Sequence, residues 1–186
     1  CLLNRYDVPG KPAPPSGFES RGRLVAALAG ACGWEGTRRT LEMMKLDRYP
    51  PFHLCQIAPG SPMRFCSWDG SLPCFAEAED CQSPITGSSL ENGEVSRRRH
   101  RHFTDVVRSA SCGDRRSELD RYHRASVPGQ AAHSPNMCRD DAQTMSFSRI
   151  DVGAQRIRFR YEAKVRKGIE FGEPAAAFMP RLWPGD

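Results

Sequence analysis

The chain has 186 residues and a mass of 20.8 kDa, the length of one domain or of one domain with an extension. Leu, Ile, Val and Phe make up only 33 residues, below the one-fifth at which a packed core is readily assembled. The net charge is a modest +5, which sets the chain apart from the disordered, highly charged class, and the longest apolar run, Leu24 to Cys32, is far short of the roughly 20 residues of a membrane span.

No heptad pattern and no fixed-period repeat is present, which removes coiled coils and solenoids. The chain starts at Cys1 in place of Met and reads as a processed product or a fragment. Residues 1–20 carry Pro9, Pro12, Pro14 and Pro15 and are expected to form an extended arm. Segments 21–32 and 37–48 are each expected to be helical. Thr37 can cap the second, and Leu41/Met44 and Met43/Leu46 form i,i+3 pairs. Gly22, Gly30, Gly33 and Gly36 weaken both.

Residues 49–94 show no sustained period and are punctuated by Pro50-Pro51, Pro59-Gly60, Asp69-Gly70 and Asn92-Gly93. This Cys/Pro-rich middle is expected to be irregular and held by its cysteines, four of which lie between Cys55 and Cys81. The eight cysteines are even in number, and that permits a disulfide framework with many connectivities. No Asn-x-Ser/Thr acceptor site supports secretion.

Phe103, Val106, Val107 and Ala110 fall on one helical face, predicting a helix over 102–111. Cys112-Gly113-Asp114 supplies a stop and a restart, and a second helix follows over 115–125. From 144 the period becomes two. Ile157, Phe159, Tyr161, Ala163 and Val165 alternate with Arg156, Arg158, Arg160, Glu162, Lys164 and Arg166. That pattern predicts an antiparallel ribbon of strands 144–152 and 156–166, with the apolar face buried and the arginine face wet. Residues 174–186, with three prolines, read as a tail. The expected class is α+β: a single small domain over 21–173 between arm and tail.

Charge is unevenly spread. Residues 95–125 hold nine arginines against four acids, and residues 149–167 hold seven Lys/Arg against two. An arginine guanidinium is a planar fork that grips phosphate bidentately and stacks on bases. The expected function is therefore non-catalytic binding of a polyanion, with RNA ahead of DNA; one form of this reading makes the chain a component of a larger particle. Arg97, Arg98, Arg99 and Arg101 lead the first block, and Arg156, Arg158, Arg160, Lys164 and Arg166 line the ribbon. The two predicted helices also compare with a helix-turn-helix, in which Arg115 and Arg116 would approach bases.

Two competing readings stand beside this one: a secreted, disulfide-stabilised interaction protein with incidental arginines, and an unintended reading frame without evolved function. Arg outnumbers Lys 23 to 4, a bias that GC-rich coding alone would yield. No Cys-x-x-Cys pair, Gly-rich phosphate loop or nucleophile signature occurs, so no metal, cofactor or catalytic residue is expected.

Overall fold

The computed structural model describes residues 1–8, 17–58, 61–77, 84–89, 91–153, 155–165 and 170–180. It is of the α+β class, with helices and two antiparallel sheets. The chain gathers into two compact units, Cys1–Arg97 and Arg98–Asp186.

In the first unit the sheet order is β1 (Leu2–Asn4), β2 (Phe52–Gln56), β3 (Arg64–Trp68), β4 (Pro73–Glu77). Helices α1 (Gly22–Leu28) and α2 (Gly33–Met43) pack on one face. The register explains how: Phe52 opposes Trp68 and Leu54 opposes Cys66, so all four project to the same side. There they meet Leu24 of α1 and Leu41 of α2, both fully buried. The Trp68 indole Nε1 donates to the Tyr49 carbonyl at 3.2 Å, which satisfies its polar edge inside the core. Between β3 and β4, Gly70 takes φ +91° while the Asp69 carboxylate accepts from the amides of Ser71 and Leu72. That closes the turn which Asp69-Gly70 signals in the sequence.

The middle segment is thus not irregular. Residues 52–77 supply three strands of a sheet, and the expected arm contributes its edge strand, β1. The strand period is hidden because both faces of β2 and β3 carry buried side chains: Cys55 and Phe65 on one, Leu54 and Cys66 on the other. Cys66, fully buried, behaves as a small apolar core residue. The seven described cysteines carry free thiols, so this sheet is held by packing and backbone ladders.

The division between the units falls inside α3 (Asn92–Phe103), which begins ten residues earlier than the apolar pattern predicts. A π-helical turn, Thr104–Arg108, continues it. Its i to i+5 bond is the Ser109 amide on the Thr104 carbonyl, at 3.2 Å. α4 (Arg115–Arg124) follows, close to its expected bounds. β5 (Ser146–Val152), β6 (Arg156–Ala163) and β7 (Ala175–Pro180) complete the second unit, with β6 central. β7 lies where a tail is expected.

The ribbon forms over the expected strands, with Val152 opposite Ile157, but its faces are reversed. Ile150, Val152, Tyr161, Val165 and Met179 are exposed, whereas Glu162 and Lys164 are buried. The cause is on α4. Arg124 grips both Glu162 oxygens, Arg149 pairs with Asp120, and Arg116 reaches Asp151 at 2.7 Å. Arg160 adds a second cation to Glu162 at 2.7 Å. Alternation separates two faces, but which one is covered depends on the neighbour, and here the neighbour brings complementary charge.

Candidate anion-binding site

The residues expected to bind phosphate fall into three groups. The first is already engaged by neighbouring groups. Arg160 and Arg116 are ion-paired as above, and the Lys164 ammonium donates to the Met137 carbonyl at 3.2 Å. Arg156 and Arg158 both lie over the Phe178 ring, at 5.6 and 5.5 Å from its centre. Phe178 is itself 57 % exposed, so this pair sits at the rim of the sheet. Arg97 pairs with Glu94 one turn away, at 2.6 Å. Arg166 lies outside the described residues.

The second group faces solvent. Arg101 on α3 and Arg115 on α4 are exposed and carry no ion pair among the described residues. Arg108, on the π-helical turn, belongs with them although its position was not singled out by the sequence pattern.

The third group builds a pocket. Arg98, Arg99 and His102 of α3, with Gln130, His133 and Ser134 of the following loop, line a depression of about 80 Å³. Helical spacing brings Arg98, Arg99 and His102 to neighbouring positions over one turn. The Arg98 guanidinium donates to the Gln130 side-chain oxygen at 2.8 Å. Arg99 donates through Nε to the His133 carbonyl at 3.0 Å and through Nη2 to the Ser134 carbonyl at 2.9 Å. These two bonds fix the plane of the guanidinium, and burial lowers its pKa from the ordinary value.

The loop is itself rigidly tied. Ser134, buried, accepts from the Val127 amide at 2.8 Å and donates to the Gln130 carbonyl at 2.9 Å. Asn136, fully buried, donates to the Arg124 carbonyl and closes the loop back onto α4. His102 stacks on Tyr122 with ring centres 5.4 Å apart, and its Nε2 is buried without a hydrogen-bond partner. Burial raises the Tyr122 hydroxyl to about 12, so that ring is neutral at any physiological pH.

His102, Gln130 and His133 are not among the residues singled out from the sequence. The signal that finds His102 is an anomaly of helix patterning. Once α3 is extended back to Asn92, Val95, Arg99, His102 and Val106 share one face, and two of those four are polar.

No metal site is formed by three or more His, Cys, Asp or Glu among the described residues, and none of their helices is long and apolar enough to cross a membrane. Comparison of the chain with protein-family models, with curated proteins and with solved structures finds no match.

Proposed function

We propose that the chain is a non-catalytic polyanion-binding protein and that RNA, ahead of duplex DNA, is the polyanion. The observation that carries this reading is the distribution of charge. Arg98–Asp186 holds 17 Lys/Arg against 11 Asp/Glu, whereas Cys1–Arg97 holds 10 against 11. Arg116, Arg124, Arg149 and Arg160 are ion-paired, whereas Arg101, Arg108 and Arg115 are exposed and carry no ion pair among the described residues. Exposed guanidiniums on helices suit a flexible single strand, which can bend to meet them.

The test is a salt titration of binding to a single-stranded RNA. Each neutralised phosphate on a single strand adds about −0.7 to the slope of log K against log salt. The triple variant Arg101→Ser, Arg108→Ser, Arg115→Ser should flatten the slope by about 2. The matched control Arg23→Ser, Arg38→Ser, Arg39→Ser should leave it unchanged. Equal weakening by both triples would reduce the effect to overall charge, and no binding at about 50 mM salt would remove the reading altogether.

A further inference from the structure

We propose that the α3 pocket receives the terminal phosphomonoester of a single-stranded nucleic acid. The inference rests on the polyanion reading and sharpens it from a charged surface to a defined subsite.

Size is the first argument. A water needs roughly 10–15 Å³ of such space, so about 80 Å³ takes a handful of water-sized groups. A tetrahedral oxyanion of five heavy atoms matches that, and a nucleoside does not. Charge is the second. Among the described residues, two guanidiniums and two imidazoles line the pocket and no acidic residue does. A monoester carries about −1.5 to −2 at neutral pH, whereas an internal diester carries a single charge. Connectivity is the third. A diester continues on two sides and must thread a site, while a monoester leaves by one bond and can fill a blind depression.

His102 supplies the fourth argument. Its Nε2 is buried without a hydrogen-bond partner, and buried polar atoms are seldom left so in folded proteins. The ring packs against Tyr122 at 5.4 Å between centres, which restricts its tilt. His102 also lines the pocket, and with the proton on Nε2 a small shift of the ring would let a phosphate oxygen there accept from it. Arg99, clamped in plane by two carbonyls, presents its charge there without further ordering of the side chain.

The experiment compares three internally labelled RNAs of one sequence by fluorescence anisotropy. They carry a 5′-phosphate, a 3′-phosphate, or hydroxyls at both ends. One phosphorylated end should bind about tenfold more tightly than the hydroxyl-ended strand, and inorganic phosphate at millimolar concentration should erase the difference. Arg98→Gln and His102→Phe should each bring the ratio of affinities towards one. His102→Phe retains the stack on Tyr122, and circular dichroism verifies that both variants are folded.

Equal affinity of the three RNAs would overturn the inference while leaving the polyanion reading standing. So would a preference that survives both substitutions, because the subsite would then lie elsewhere. Binding of inorganic phosphate without any preference among RNA ends would make the pocket a site for the free anion only, and would also overturn it. Failure of all three RNAs to bind at low salt would remove both readings together.

Discussion

Glu162 is the side chain on which the second unit turns. It is only 2 % exposed, accepts the two-pronged guanidinium of Arg124, is ion-paired to Arg160 as well, and stands on a strand whose Tyr161 is exposed. Arg124 also covers the Phe147 ring at 4.4 Å, so one cation serves a carboxylate and an aromatic face together. Replacing Glu162 by Gln leaves two guanidiniums without their counter-charge. A loss of about 2–3 kcal/mol is expected in urea unfolding, below the full cost of a broken buried pair because both arginines keep contact with water. The bonds from Arg124, and then the charge of Arg160, hold the Glu162 carboxyl below its ordinary value. A carboxyl with a depressed folded pKa contributes fully above its unfolded pKa, and the contribution fades as pH falls through the folded one. Wild-type stability should therefore decline as the pH drops below about 4.5, and Glu162→Gln should flatten that decline. An unchanged acid limb would show that the carboxylate is not ionised in the folded chain.

At the scale of elements, the expectation that odd positions of the ribbon are buried has a direct contrary test. Ile150→Ser replaces a residue that is 62 % exposed and should change stability by no more than about 0.5 kcal/mol. Phe52→Ala, in the first sheet, removes a fully buried ring and should cost about 3–5 kcal/mol. A large effect of Ile150→Ser would restore the apolar face to the interior. The ribbon, the second short helix and the α+β class were all legible in the sequence, because period and length declare strands and helices locally. The covered face of the ribbon was not, since Asp120 and Asp151 meet Arg149 and Arg116 only after α4 has docked. The first sheet was hidden for another reason. Counting Cys55 and Cys66 as covalent staples removed two apolar residues from β2 and β3, and the remaining pattern fell below recognition. The pocket was half legible: Arg98 and Arg99 stood out by charge, but Gln130 and His133 join them through a loop closure that no local pattern encodes.

Over the whole molecule, cysteine chemistry and charge divide the competing readings. Seven described cysteines are unbridged, of which Cys1, Cys32, Cys74 and Cys112 are exposed and Cys55 and Cys66 buried. Titration of the denatured, unreduced chain should count at least seven thiols. In the native protein the four exposed thiols should react first and Cys66 last, because burial pushes its pKa to about 12 and leaves almost no thiolate. Three or four disulfides in that assay would instead support a secreted, cross-linked interaction protein. Ordered kinetics of this kind would also count against a reading frame without evolved function, since they need a chain with a definite interior.

The ionic layer between α4 and the second sheet has a thermal consequence. Heat-capacity change on unfolding grows with the apolar surface newly wetted and is reduced by polar surface. Here much of the apolar face, Ile150, Val152, Tyr161 and Met179, is hydrated on both sides of the transition, while guanidinium and carboxylate groups are the ones released. The stability of the chain should therefore curve gently with temperature, with a heat-capacity increment below the usual 12–15 or so cal/mol/K per residue. Because the cost of desolvating ions falls on warming, this layer gains relative to an apolar core as the temperature rises. A chain poor in aliphatic residues thereby acquires a broad, flat range of tolerable temperatures in place of a high maximum at one.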